Sequence, residues 1–378
     1  MRPTLGVVGY APIQYHTPLW QLLTKRGNVE LDVLFLSDRG VSPINDSAFG
    51  VPIAWDIDLL SGYTHTFLNT MENPMGIVKK VTTLARWLPI HDAVVVNGYT
   101  SPWMLMTMAI CRIRGIPYFL RGSSHPEGNS SGLRRYLRRF ATRLVVSYSA
   151  GCLSMGHLNG EFYRKNHARL VTFVPNSVDD ERFACPPRIA RSELLAQWGL
   201  MDDLPLIVFS GRLVSRKRPL DLVDAVKRLP FEVNTLFIGD GPLAQRIRAL
   251  LPADRTVVTG FINQSDIPSY YHAADILVLP SEIEAWGLVV NEAMAAGTLP
   301  IVSDRVGCAP DLVRDVGEVF RCGDVIDLAN ALSRGLARVG DSQMRDRVRK
   351  HVARYSLECT AEGFEQVALA IKDLRPPG

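Results

Sequence analysis

Two glutamates, Glu284 and Glu292, are separated by seven residues in the stretch Leu279-Pro-Ser-Glu-Ile-Glu-Ala-Trp-Gly-Leu-Val-Val-Asn-Glu-Ala-Met-Ala-Ala-Gly297. An apolar strand ends at Pro280, a polar loop follows, and a helix opens near Trp286. The backbone N–H groups of Gly287, Leu288 and Val289 then stand at the carboxyl end of a strand, where a helix N-terminus receives phosphate. Eight positions of mostly helical rise separate the carboxylates by about 12 Å. That exceeds the ~5–9.5 Å of a glycosidase acid–base pair. The two acids therefore suit separate contacts to one ligand: Glu292 to ribose hydroxyls, Glu284 to a sugar.

A second cluster, Phe209-Ser-Gly-Arg-Leu-Val-Ser-Arg-Lys217, follows an apolar strand. After Gly211, the guanidinium of Arg212 and the ammonium of Lys217 can neutralise a departing diphosphate without a metal. A third, Ile238-Gly-Asp-Gly-Pro242, is a strand-to-helix turn. In it Gly239 and Gly241 permit close approach of a ligand or of another backbone.

In the first half, Trp55-Asp-Ile-Asp-Leu-Leu-Ser-Gly-Tyr63 mixes aromatic and acidic groups suited to stacking on, and hydrogen-bonding, a carbohydrate or polyol. It contains Asp56-Ile-Asp58, a D-x-D string. Nothing around it supports a metal site, and no metal is expected. Tyr10 and His16 lie on the loop after the first strand and join Trp55, Asp56, Asp58 and Tyr63 as acceptor candidates. Leu133-Arg-Arg-Tyr-Leu-Arg-Arg-Phe-Ala-Thr-Arg143 reads as a basic amphipathic helix. Its apolar face is expected on the sheet, and Arg134, Arg135, Arg138 and Arg139 offer the alternative of peripheral contact with anionic lipid.

The elements that position these groups alternate between short β-branched runs and longer amphipathic stretches, the signature of βα units. Strands are expected at Leu5–Val8, Leu31–Leu36, Ala93–Val96, Tyr118–Leu120, Leu144–Val146 and Leu170–Val174. Past the Asn-, Asp- and Pro-rich segment 175–187 the pattern restarts, at Leu206–Ser210, Val233–Ile238, Val257–Thr259, Ile276–Leu279 and Pro300–Ser303. With 378 residues, 47% of them hydrophobic, the chain has material for two cores. The expected division is an α/β domain over 1–185, a second over 186–355, and a helix over 356–378 returning to the first. The two are expected to face each other across a cleft.

Charge is uneven: residues 1–185 hold 19 Lys and Arg against 13 Asp and Glu, the remainder 23 against 25. A basic first half suits an acidic or phosphate-bearing acceptor as well as a solvated surface. Six dispersed cysteines without a C-x-x-C pair indicate neither a zinc site nor a disulfide framework. No apolar run reaches the ~18 residues of a membrane span. A cytoplasmic protein is expected, with peripheral membrane association as a variant.

The second half resembles the retaining GT-B glycosyltransferases of family 4. The matching residues are Gly211-Arg212-Leu213 with Lys217, Gly239-Asp240-Gly241-Pro242, Gly260-Phe261, Pro280-Ser281 with Glu284 and Glu292, Ala293-Met294-Ala295, Gly297, and Ser303-Asp304 with Gly307 and Pro310. Val174-Pro-Asn-Ser-Val-Asp179 with Arg182-Phe183 is similar to the family's interdomain passage. The resemblance implies two Rossmann-like domains and a nucleotide-diphosphate sugar as co-substrate, with no cofactor and no metal. It places the diphosphate on Arg212 and Lys217, the ribose on Glu292, the transferred sugar on Glu284 and the base on the backbone of Phe261 and Ile262. It implies UDP as the favoured base and retention of configuration, the leaving phosphate taking the acceptor's proton. His125, in Arg121-Gly-Ser-Ser-His125, stands where many members carry a histidine near the sugar.

Two departures stand out. Gly9-Tyr-Ala-Pro-Ile-Gln-Tyr-His16 lacks the Gly-Gly pair common in the family's first loop, and Arg218 replaces the glycine that usually follows the lysine. The reading is transfer of a sugar to a hydroxyl of a saccharide, polyol or lipid-linked acceptor. The alternatives are a metal-dependent transferase using Asp56 and Asp58, a non-catalytic nucleotide-sugar-binding protein, and a nicotinamide dehydrogenase. The last lacks G-x-G-x-x-G after the first strand. No nucleic-acid partner is indicated.

Overall fold

The computed structural model describes residues 2–41, 44–45, 52–53, 55–72, 75–122 and 133–374. In chain order the strands are β1 (Thr4–Gly9), β2 (Glu30–Phe35), the two-residue β3 (Ile44–Asn45) and β4 (Pro52–Ile53), β5 (Thr64–Phe67), β6 (Ala93–Asn97), β7 (Tyr118–Arg121), β8 (Gly151–Ser154) and β9 (Val171–Phe173). They continue as β10 (Leu206–Ser210), β11 (Asn234–Ile238), β12 (Thr256–Gly260), β13 (Ile276–Leu279), β14 (Leu299–Ser303) and β15 (Glu318–Phe320). Helices α1 (Thr17–Arg26), α2 (Ile77–Trp87), α3 (Pro102–Arg114), α4 (Leu133–Tyr148), α5 (His157–Lys165), α6 (Asp180–Ala184) and α7 (Arg191–Gln197) occupy the first half and the passage out of it. They are followed by α8 (Pro219–Val226), α9 (Ala244–Leu250), α10 (Ile267–Ala273), α11 (Leu288–Ala295), α12 (Val325–Leu336), α13 (Ser342–Val352) and α14 (Leu357–Leu374).

The chain divides into two compact units. Unit 1 comprises residues 1–42, 58–176 and 357–378, and unit 2 comprises 43–57 and 177–356. The change of unit after Asn176 falls nine residues before the expected boundary at 185, and residues 43–57 group with the second unit.

Unit 1 holds a seven-stranded sheet in the order β5-β2-β1-β6-β7-β8-β9, every pairing parallel. One face is covered by α1 and α14, with Trp20 edge-on to Phe364 at 5.5 Å, and the other packs Leu84, Trp87, Met104, Met108 and Tyr163. Burial on both faces explains why Val7-Val8 and Val94-Val95-Val96 read as continuous apolar runs rather than as alternation. The terminal helix is tied to α1 by Arg26, which pairs with Glu365 at 2.8 Å and also with Glu358.

Unit 2 repeats the plan with six parallel strands in the order β12-β11-β10-β13-β14-β15. Its strand order reverses direction between β10 and β13, the place where open α/β sheets bind ligands beyond their strand ends.

Leu144–Val146, expected as a strand, is instead the last turns of α4, and the neighbouring strand is β8, starting at Gly151. A short apolar β-branched run carries no periodicity that separates a buried strand from a helix end. The expected burial of α4 along its apolar face is also corrected. Tyr136 is 77% and Phe140 60% exposed, and among the described side chains of this helix full burial arrives only at Val146. Among the described residues no helix is long and apolar enough to cross a membrane.

Candidate functional site

The loop after β13 is held in place by the segment after β14. Ser303 donates its hydroxyl to the Ser281 carbonyl at 2.6 Å, Gly307 its amide to the Glu284 carbonyl at 2.9 Å, and Cys308 its amide to the Trp286 carbonyl at 3.0 Å. Glu284 thus stands on a backbone bridged to Val306 rather than on a free loop. Burial first, and then the nearby Glu284 charge, push the Cys308 thiol well above its ordinary range. Trp286 donates its indole N–H to Asn291 Oδ1 at 2.9 Å, fixing the turn into α11. Gly287 caps that helix at φ +100°, and a Cβ there would stand 3.0 Å from Leu279 Cδ2. The turn is therefore both left-handed and closely packed, and it delivers the amides of Leu288 and Val289 to the first turn of α11.

Lys217 comes from the loop after β10 and ion-pairs with Glu284. Both side chains are largely covered, at 15% and 18% exposure, so the pair is held out of bulk water. An ammonium has three donors, of which Glu284 takes one, so a second anion can share the same cation. Arg212 lies in the same loop, half-buried, between Gly211 and the fully buried Leu213. Arg218 adopts φ +51°, which accounts for a glycine being common at this position in the family it resembles. Its guanidinium reaches Asp221 at 2.7 Å, and that hydrogen bond holds its pKa above the ordinary value.

Glu292 is 1% exposed, inside α11. Tyr271 of α10 donates its hydroxyl to Glu292 Oε2 at 2.9 Å, and Ser210, the last residue of β10, lies 2.8 Å from the same phenolic oxygen. A buried carboxylate needs such donors. Neither Tyr271 nor Ser210 was singled out from the sequence. Their only signal was polarity at positions otherwise filled by apolar residues.

The Gly-Asp-Gly turn is explained by backbone packing. A Cβ on Gly239, at φ +130°, would lie 2.2 Å from the Gly211 carbonyl oxygen, and one on Gly241 would lie 2.6 Å from that of Leu213. Both glycines serve to seat the Arg212 loop against β11, with Gly211 donating to the Ile238 carbonyl and Leu213 to that of Asp240, each at 2.9 Å.

Trp55 and Asp56, placed with the acceptor groups from sequence, belong to unit 2. Trp55 packs edge-on to Phe261 at 5.9 Å, and the Asp56 carboxylate accepts from the Ser265 amide at 3.2 Å and from its hydroxyl. Phe261 and Ile262 follow the end of β12, half-buried. Asp58, in unit 1, turns its carboxylate back on Leu60 and Ser61, and those hydrogen bonds lower its pKa. The two aspartates therefore serve different local structures.

Elsewhere in unit 1, Tyr63 is a core residue. It donates to the Leu59 carbonyl at 2.6 Å and packs on Phe35, and burial pushes its pKa up to about 12. Its ring is thus not the acceptor surface expected of it. Tyr10 is 54% exposed. His16 precedes α1, where burial, and then the Arg121 charge, hold its pKa down at about 3. His125 lies outside the described residues. So do the side chains of Arg134, Arg135 and Arg138, while Arg139 is exposed.

Two parallel sheets flanked by helices, with the polar clusters of unit 2 at the carboxyl ends of its strands, define the GT-B architecture. HepE of Anabaena, solved with UDP and glucose, has this fold. It superposes with a TM-score of 0.74 at 17% identity, over 98% of this chain and 100% of its own. The pattern described as "Glycosyl transferases group 1" matches residues 190–353. The 2-deoxystreptamine N-acetyl-D-glucosaminyltransferase of Streptomyces fradiae is 31% identical over 317 residues, 75% of this chain and 72% of that protein. A sulfoquinovosyl transferase of Arabidopsis thaliana is 34% identical over 161 residues, 41% of this chain. The chain spans about a third, 31%, of that plant protein's length. The chain belongs to the glycosyl transferases group 1 family.

Proposed function

We propose that this protein transfers a sugar from a nucleotide-diphosphate donor, UDP-linked by preference, to a hydroxyl of a saccharide, polyol or lipid-linked acceptor. The reading includes retention of configuration, as in glycosyltransferase family 4, and independence from metal. The observation that carries it is the Lys217–Glu284 pair beside the opening of α11. It joins an anion-binding cation, a helix N-terminus and a sugar-binding carboxylate in one unit.

In this reading the diphosphate lies against Arg212, Lys217 and the Leu288 and Val289 amides, which offset the charge that develops as the anomeric carbon–oxygen bond breaks. The acceptor oxygen bonds to the anomeric carbon on the face that the phosphate leaves, and the acceptor's proton passes to the departing phosphate oxygen. Glu284 accepts hydrogen bonds from the sugar. Glu292, oriented by Tyr271, accepts those of the ribose. Cationic side chains supply the neutralisation that a divalent ion supplies in metal-dependent transferases. The uridine preference draws on the family resemblance and is supported by HepE having been solved with UDP.

A nucleotide-release screen of UDP-, GDP- and ADP-sugars, with and without EDTA, tests the proposal. Release that EDTA leaves unchanged is expected. Binding of a nucleotide sugar with no release across a broad acceptor set would favour a non-catalytic binding protein instead.

A further inference from the structure

Unit 1 carries a buried cation that nothing in the described structure neutralises. Arg121, the last residue of β7, is 2% exposed. Its described polar contacts are the Pro175 carbonyl at 3.0 Å and the Asn176 side-chain oxygen at 3.4 Å, while its Nε is buried and, among the described residues, has no hydrogen-bond partner. Phe364 lies under the guanidinium at 5.7 Å. Neutral acceptors and a ring face do not compensate a charge taken out of water, and buried arginines are ordinarily matched by an anion.

Asn97, the last residue of β6, is the registered neighbour of Arg121, so both side chains leave the sheet on one face. Both polar atoms of the Asn97 amide are buried and, among the described residues, make no hydrogen bond. His16, at the start of α1, lies close enough for Arg121 to act on its charge, and α1 covers this same face. The Arg121 guanidinium and the Asn97 carboxamide thus stand together beyond the carboxyl ends of adjacent parallel strands, where open α/β sheets take ligands, with His16 at the head of the helix that covers the same face.

We propose that Arg121, Asn97 and His16 form a subsite for a phosphoryl group carried by the acceptor. Arg121 supplies charge and its unpartnered Nε–H donor, and Asn97 and His16 supply further hydrogen bonds. A phosphoryl group offers three oxygens to such a set. The acceptor's role rests on the transfer reading, but the subsite itself does not. It is separate from the donor's diphosphate, which the groups of unit 2 bind.

The test is calorimetric titration of the full chain with inorganic phosphate, with UDP saturating. Asn97→Asp is the decisive variant, because it is isosteric and gives Arg121 the missing carboxylate. It is expected to weaken phosphate binding at least about tenfold and to raise Tm. Arg121→Lys is expected to weaken phosphate without weakening UDP. Titration with phosphatidylcholine vesicles, with and without phosphatidic acid, separates the sources. If Asn97→Asp lowers the phosphatidic-acid-dependent binding, the phosphoryl group is that of a lipid; if it lowers only inorganic phosphate binding, the group is that of a soluble acceptor. The proposal is overturned if the wild type binds no phosphate, if UDP displaces it fully, or if Asn97→Asp leaves its affinity unchanged. Because phosphate binding is read apart from nucleotide release, failure here leaves the transfer reading standing.

Discussion

Tyr271 donates its hydroxyl to Glu292 at 2.9 Å, and Ser210 lies 2.8 Å from the same oxygen, so the buried carboxylate is approached through a relay that begins at the end of β10. If Glu292 holds the ribose, Tyr271→Phe releases its orientation. The expected result is a rise of about 5- to 10-fold in donor KM, corresponding to one hydrogen bond of ~1–1.5 kcal/mol. A modest fall in Tm accompanies it. Steady-state kinetics at varied donor concentration checks this, and an unchanged KM contradicts the ribose assignment.

The Gly-Asp-Gly turn is argued to be a packing device. Gly239→Ala should destabilise the protein by at least ~2 kcal/mol, since the added carbon collides with backbone rather than with a movable side chain. Gly260→Ala is the control. It also has positive φ, +75°, but nothing lies within 4 Å of its added Cβ. Denaturant melts should show clearly the larger loss for Gly239, and equal losses would remove the packing explanation.

These two cases also show what was legible beforehand. Glu284, Arg212 and Lys217 were readable because they lie on loops that leave strand ends, and Glu292 because it lies on the helix that follows such a loop; βα order places strand ends together without any long-range information. The reason for Gly239 was not readable, because the colliding atom belongs to Gly211, in the loop that leaves the neighbouring strand β10. The grouping of Trp55 and Asp56 with unit 2 was not readable for the same reason. The Asp56–Ser265 contact joins positions 209 residues apart, and nothing local in Trp-Asp-Ile-Asp marks it. Asn97 was visible only as the end of an apolar run, and its lack of a partner among the described residues is a property of the packed unit.

Because the Asp56 carboxylate is engaged by Ser265, Asp56→Asn should retain donor turnover within about threefold and lose no more than ~1 kcal/mol of stability. Assays in EDTA and in magnesium check both halves. A loss of a hundredfold or more that magnesium partly restores would revive the metal-dependent alternative.

His16 yields a pH signature. Its folded pKa, about 3, lies below the ordinary histidine value of 6.5, so the unfolded chain binds the proton more readily. Its contribution to stability is complete above about pH 6.5 and is lost as pH falls from there towards 3. Urea midpoints compared between wild type and His16→Asn should converge across that window, the variant being less sensitive to acid. Parallel curves would mean that His16 is solvated.

The central claim is that Glu284, fixed by Lys217 and by the backbone of the β14 loop, holds the transferred sugar. Its most direct test is UDP release by Glu284→Ala in the presence of EDTA, with the best donor and acceptor of the wild type. The account predicts a loss of at least about a hundredfold in turnover while UDP itself still binds. Wild-type turnover in Glu284→Ala would contradict it.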